Sequence, residues 1–167
     1  SGYVDHTPFS RGGERLINSH FIALQNLIEV LPRKSLQRFV HIGSSDEYGA
    51  APSPQHEELR ERAFSPYSLA KIACTQLLQM LYTSENFPAV VLRLFLPYGP
   101  GQNLNQFLPQ VITGCLNDEK IPISPGYQVR DFCHIDDVIL AIKTAFSVEE
   151  ANGHIFNISS GKPISIR

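Results

Sequence analysis

The chain has 167 residues, 43% of them hydrophobic and 18% charged, with a formal net charge of −2. That composition fits one folded domain with a sizeable core and excludes a disordered chain. Near-neutral charge gives no reason to expect nucleic acid or an acidic membrane as partner, and the apolar run Ala89 to Pro97, interrupted by Arg93, is too short to span a bilayer.

The three cysteines, Cys74, Cys115 and Cys133, are odd in number and widely spaced, which predicts reduced thiols and a cytoplasmic setting. The six histidines show no H-x-x-x-H spacing and no C-x-x-C occurs, so no structural metal is expected. No signal peptide is read at the start. The chain opens at Ser1 without a Met, inside a polar stretch, as a piece of a longer protein would.

Residues 1–10 read as loop. From Arg11 to Leu31, an apolar stripe of Ile17, Phe21, Leu24, Ile28 and Leu31 predicts a helix that Pro32 stops. Phe39-Val40-His41-Ile42 predicts a strand ending in Gly43-Ser44-Ser45, with His41 read as a core residue. Residues 46–65 read as an irregular surface loop.

Ser65-Pro66 then opens a helix, since a Ser can cap free amides and proline has its φ preset for a first helical position. Leu69, Ile72, Ala73, Leu77, Met80 and Leu81 recur at helical spacing and predict its packed face. Tyr67 and Lys71 lie four apart, one turn above each other. A phenol titrates near 10, too high for a base at neutral pH, but a neighbouring ammonium favours the phenolate. Such a pair can take a proton from a hydroxyl or return one to a carbonyl oxygen. The alternative is a Tyr stacked under a Lys stem with no chemistry at all.

Asn86-Phe87-Pro88 ends that helix, and Ala89 to Phe95 is nearly all apolar, as in a strand covered on both faces. Strand, helix and strand of these lengths make a βαβ unit with a parallel pair. Pro97 to Gly101 breaks regular structure. Gln106 to Leu116 predicts an amphipathic helix through Phe107, Val111, Ile112 and Cys115. Ile121 to Ser124 and Val129 to Cys133 are strand candidates. Asp136 or Asp137 can cap a helix reaching Phe146, and Ile155 to Ile158 is a last strand. There is no repeat and no linker; the class is α/β, in a single domain over 1–167.

Ligands in an open parallel sheet sit beyond the carboxyl ends of the strands. Ser44 and Ser45 lie past the first strand, and Tyr98 with Gly99 past the second. Ser44 and Tyr67 are therefore placed to reach one crevice, the Ser hydroxyl donating to a substrate oxygen while Tyr67 moves the proton. No His–carboxylate pair is arranged to make that Ser a nucleophile.

Five stretches resemble the extended short-chain dehydrogenase/reductases, specifically the NAD-dependent nucleotide-sugar epimerases and dehydratases. They are Ile42 to Gly49 (IGSSDEYG), Pro66 to Lys71 (PYSLAK), Leu92 to Gln102 (LRLFLPYGPGQ), Arg130 to Val138 (RDFCHIDDV) and Phe156 to Gly161 (FNISSG). The resemblance implies a partial Rossmann-like parallel sheet with flanking helices and a small substrate-binding subdomain. It implies Tyr67 as catalytic acid/base, Lys71 lowering its pKa and holding the nicotinamide ribose, and Ser44 binding the reacting oxygen. It also implies Gly43 beside an NAD or NADP cofactor, Ser45 and Asp46 facing the substrate, and Arg130 on the diphosphate of a nucleotide sugar. The alternative for Arg130 is a surface pair with Asp131. His134 and Asp136 are read as fixing a turn and capping a helix.

The family opens with a strand and a G-x-x-G-x-x-G loop for the cofactor pyrophosphate, and no such run stands in these residues. Dehydratases follow the Ser/Thr with Asp-Glu; here Ser45 and Asp46 occupy those positions, which argues for an epimerase or 4-ketoreductase over a 4,6-dehydratase. The Asn usual three before the Gly of Tyr-Gly-Pro is Leu96, which removes one expected diphosphate contact. The edge of the first strand is expected to lack a neighbour, and the helices at 11–31 and 66–82 to pair in a homodimer. The competing reading is a catalytically silent module that oligomerises or binds a nucleotide sugar weakly.

Overall fold

The computed structural model describes residues 4–122 and 125–167. In chain order its main elements are α1 (Glu14–Ile17), α2 (Ala23–Val30), β1 (Phe39–Ser44), α3 (Pro66–Glu85), β2 (Ala89–Leu94), β3 (Leu96–Tyr98), α4 (Phe107–Leu116), β4 (Val129–Arg130), β5 (Phe132–His134), α5 (Ile135–Ser147), β6 (Ile155–Ile158) and β7 (Ile164–Ser165). They fall into two compact units. One holds the residues up to Leu94 with Ile142–Asn157; the other holds Phe95–Ala141 and Ile158–Arg167.

The first unit is built on a sheet of order β1-β2-β6. β1 and β2 are parallel, in register from Phe39 opposite Ala89 to Ser44 opposite Leu94. β2 is central and its residues Ala89 to Leu92 are buried, which is why that strand is apolar on both faces. β1 stands at the edge, as expected.

α3 starts where its sequence says. Ser65 Oγ accepts from the Ser68 amide at 3.1 Å, and Ser68 Oγ accepts from the Ser65 amide at 3.0 Å. Asn86 ends the helix in the left-handed conformation at φ 53°. The buried face differs from the expected stripe, because Leu69 and Met80 are about half exposed (48% and 49%). Leu81 is buried as expected, but the rest of the buried face is Tyr67, Ser68, Ala70, Lys71, Cys74, Thr75 and Leu78. The lower half of that face joins Leu24, Ile28, Phe87, Ala89 and Val91 in the core, each fully buried aliphatic or aromatic side chain contributing about 1.5–3 kcal/mol.

The helix expected over 11–31 is interrupted by a π-helical turn, Asn18–Ile22. Its buried residues Leu16, His20, Leu24 and Ile28 follow one another at every fourth position. Three such steps overrun a 3.6-residue turn by about one residue, which the wider turn absorbs. His20 is thereby turned inward, and the thiol of Cys74 lies 3.6 Å from its carbonyl oxygen.

Of the surface loop expected over 46–65, residues 50–65 are irregular and none of them is buried, but its start differs. Ser45–Tyr48 forms a 3-10 turn in which Glu47 and Tyr48 are fully buried.

In the second unit, β3 pairs in parallel with β5, and β4 pairs antiparallel with β7. The strand expected over Val129 to Cys133 is thus split at Asp131. Its carboxylate accepts the Ser160 and Gly161 amides at 2.7 and 2.9 Å, while its carbonyl accepts the Leu96 amide at 3.3 Å, so Asp131 is the point where the chain passes from one pairing to the other. Ile121 and Pro122 are not in a strand, and the rest of that candidate, Ile123 and Ser124, lies outside the described residues. On α4, Ile112 and Cys115 are exposed, and Gly114 takes the inward position against Ile121. α5 begins at Ile135, one residue before the expected caps. The His134 ring supplies the cap, with Nδ1 3.3 Å from the Asp136 amide. Among the described residues no helix is long and apolar enough to cross a membrane.

Candidate active site

Ser44 is the last residue of β1, and its backbone is extended. It caps the 3-10 turn: Oγ accepts from the Asp46 amide at 3.2 Å, and the Glu47 carboxylate reaches back to the Ser44 amide at 2.9 Å. The first turn of α3 brings the Tyr67 phenol within hydrogen-bonding reach of the Ser44 side chain. One turn on, Lys71 Nζ lies 5.8 Å from the Tyr67 ring centroid and donates to the Ile42 carbonyl at 2.8 Å. Ser44, Tyr67 and Lys71 therefore converge in the first unit, at the carboxyl end of β1.

The electrostatics differ from the simple expectation. Burial pushes the Tyr67 phenol above its ordinary value; the Ser44 hydrogen bond opposes this, and the charges of Asp46 and Glu47 add to it. Lys71 is itself pulled down by burial, with Glu47 among the groups opposing that shift. The reason is geometric: the ammonium sits over the ring and binds Ile42, so its charge is not spent on the phenol oxygen. At neutral pH, Tyr67 is a protonated acid in this arrangement.

Two histidines join the group. His20, from the π-helical turn, meets Tyr67 edge-on at 5.2 Å between ring centroids, and His6 lies at 6.0 Å. His6 Nε2 is also 2.8 Å from Asp46 Oδ2, so Asp46 stands beside Tyr67 held by a partner from the start of the chain. Sequence reasoning passed over both histidines, since neither falls in a motif and only the π-helical turn and the opening loop bring them in.

Gly43 has a packing reason to be glycine. A Cβ there would lie 2.7 Å from Glu47 Oε1 and 3.1 Å from Arg93 Cγ. Glu47 and Arg93 form an ion pair between fully buried side chains, Nε to Oε2 at 2.8 Å, with Arg93 Nη2 also 2.6 Å from Glu61. Burial pushes the Glu47 carboxyl up, against the Arg93 charge and hydrogen bonds from Ser44 and Thr75. Burial also opposes the charge on Arg93, but Glu47, Tyr48 and Glu61 outweigh it and hold the guanidinium above its ordinary range. Two signals in the sequence pointed here: a lone Arg inside an apolar strand, and a Glu directly before Tyr48-Gly49.

Ser45 is half-buried and starts the 3-10 turn. Arg130 belongs to the second unit, where it is exposed and donates to the carbonyl of its neighbour Val129 at 2.8 Å. It is not paired with Asp131, whose carboxylate takes the 160–161 turn. Tyr98, also in the second unit, packs edge-on to His134 at 5.2 Å. Among the described residues, no group of three or more His, Cys, Asp or Glu is placed to hold a metal ion.

The NAD dependent epimerase/dehydratase family matches residues 9–159. An uncharacterized UDP-glucose epimerase of Bacillus subtilis is 30% identical over 145 residues, covering 86% of this chain and 46% of its own length. The structure of UDP-glucuronic acid 4-epimerase from Bacillus cereus, in complex with UDP-glucuronic acid and NAD, superposes with a TM-score of 0.81 at 29% identity, over 90% of this chain and 48% of that one. RMD from Pseudomonas aeruginosa complexed with NADPH gives a TM-score of 0.87 at 25% identity, over 100% and 60%. Matched relatives thus include epimerases, 4,6-dehydratases and reductases of nucleotide sugars. The chain spans about half the length of the curated relatives it matches.

Proposed function

The chain belongs to the NAD-dependent epimerase/dehydratase family, and from that premise we propose that it supplies the proton-transfer and nucleotide-sugar part of an NAD(P)-dependent epimerase or 4-ketoreductase. One observation carries the reading: Ser44, Tyr67 and Lys71 gather at the end of β1, with the Ser44 side chain acting on the Tyr67 phenol and the Lys71 ammonium 5.8 Å from the Tyr67 ring centroid and bonded to Ile42. Tyr67, held protonated, gives its proton to a sugar carbonyl oxygen, and takes one from the hydroxyl in the reverse direction. The Ser44 hydroxyl donates to the same oxygen as its charge changes. Of the three N–H donors of Lys71, Ile42 takes one, which leaves two for ribose hydroxyls. A nicotinamide, when bound, supplies the hydride partner for the sugar carbon.

Ser45 and Asp46 replace the acid–base pair that water elimination needs, which supports epimerisation or reduction over dehydration. Arg130, exposed and without a carboxylate partner among the described residues, is the proposed grip on the nucleotide diphosphate. The same proposal reads 1–167 as part of one epimerase/dehydratase domain. It places the protein in the cytoplasm on the strength of its free thiols. It also pairs two copies through the exposed apolar residues Leu27, Val30, Leu69 and Met80 of α2 and α3.

A second reading, the silent module, is favoured by the engagement of Lys71 with Ile42 and by the raised Tyr67 phenol. Calorimetric titration with NADH separates the two. Binding tighter than about 100 μM, near −5.5 kcal/mol, followed by nucleotide-sugar turnover that Tyr67→Phe abolishes, establishes the enzyme. No heat at high concentration, and no change on Tyr67→Phe in any assay, establishes the silent module.

A further inference from the structure

We propose that the buried Glu47–Arg93 pair positions Ser44: the Glu47 carboxylate is a strut that fixes the Ser44 hydroxyl against Tyr67. Glu47 is fully buried and its carboxylate bonds Ser44, Thr75 and Arg93, so its part is positioning. The inference rests on Ser44 and Tyr67 being the proton-handling pair.

The strut is visible atom by atom. Oε1 accepts the Ser44 amide at 2.9 Å, at the last residue of β1. Oε2 accepts Thr75 Oγ1 and Arg93 Nε, each at 2.8 Å. Thr75 stands two turns after Tyr67 and one after Lys71 on the buried face of α3, and Arg93 comes from β2. One carboxylate therefore ties the strand end that carries Ser44 to the helix that carries Tyr67. Arg93 is in turn held by Glu61 at 2.6 Å and lies 4.7 Å over the Tyr48 ring.

An ion pair this deep is a poor way to gain stability, since desolvation of both charges offsets most of their attraction. It is a good way to fix a position. Charge-assisted hydrogen bonds are short and directional, and three donors on two oxygens leave the carboxylate a single place to be. Gly43 completes the case, because its missing Cβ is the room the Glu47 oxygen occupies.

The test reads Tyr67 directly. In the 167-residue protein with 13C-labelled tyrosine, the Tyr67 resonance is assigned by its loss in Tyr67→Phe and titrated with alkali. Glu47→Gln is compared in two backgrounds, with Ser44 present and in Ser44→Ala. His6, His20, Lys71 and Asp46 also face Tyr67, and they are the same in both backgrounds, as is the lost Glu47 charge. A strut gives non-additivity: with Ser44 present, Glu47→Gln moves the titration upward by at least about half a pH unit relative to its effect in Ser44→Ala. Equal shifts in the two backgrounds overturn the proposal, since Glu47 would then act by charge alone. If Glu47→Gln does not fold, Thr75→Val decides with every charge in place. An upward shift that vanishes in Ser44→Ala supports the strut, and no shift overturns it. Neither cofactor nor sugar enters this readout, so failure of the enzyme reading leaves its outcome untouched.

Discussion

Two arginines on short strands separate the two units. Arg93, on β2 of the first unit, is fully buried and meets two carboxylates. Arg130, on β4 of the second, is exposed and bonds only the preceding carbonyl in the described structure. The same side chain is thus committed in one place and available in the other. A buried guanidinium bound to two carboxylates holds architecture, whereas an exposed fork without a carboxylate partner is free to meet a phosphate.

The sharpest way to break the contrast is Arg93→Ala. It leaves Glu47 without its buried countercharge, and we expect a loss of about 3–5 kcal/mol in urea unfolding. Gly43→Ala forces a methyl group against Glu47 and Arg93 and is expected to cost about 1–3 kcal/mol by the same measurement.

The first unit also carries an acid-sensitive group. Burial first, then the charges of Lys71 and His20, pull His41 from 6.5 down to about 3. Its Nε2 has no hydrogen-bond partner among the described residues. A depressed folded pKa means that the native state resists binding a proton the unfolded chain accepts. The stability tied to neutral His41 is therefore present above pH 6.5 and lost as pH falls toward 3. Within that window the loss is about 1.4 kcal/mol per pH unit. His41→Gln removes that slope, and unfolding curves at successive pH values check it.

Arg130→Ala is the smallest change for stability, within about 0.5 kcal/mol. If the full-length protein binds a nucleotide sugar, the same substitution is expected to weaken that binding roughly ten-fold or more, by the loss of a charged hydrogen bond. A large stability loss with unchanged binding would place Arg130 with Arg93 and remove the contrast.

The features legible in the sequence are those with short-range causes. Ser65 and Pro66 start α3, and Asn86 stops it, because capping is decided within a turn. Tyr67 and Lys71 share a face because four residues nearly complete a helical turn. Apolar runs of strand length, separated by a helix, imply the parallel pair that β1 and β2 make.

Other features were set by partners far along the chain. Apolar spacing pointed to the Leu69 and Met80 side of α3, yet the buried side carries Tyr67, Lys71 and Thr75. Periodicity counts apolar residues, and it cannot see that Ile42 and Glu47 satisfy the polar ones. Val129 to Cys133 read as one strand because Asp131 shows its reason to break only with residues 160 and 161 in place.

The sequence by itself determined the family motifs, the α/β class and the candidate residues for proton transfer, since these follow from side-chain chemistry and local spacing. Only the tertiary structure decided how that proton is held. Desolvation and long-range pairing set the charge state of Tyr67 and direct Lys71 to Ile42. They also seat Glu47, across 46 positions from Arg93, beneath Ser44.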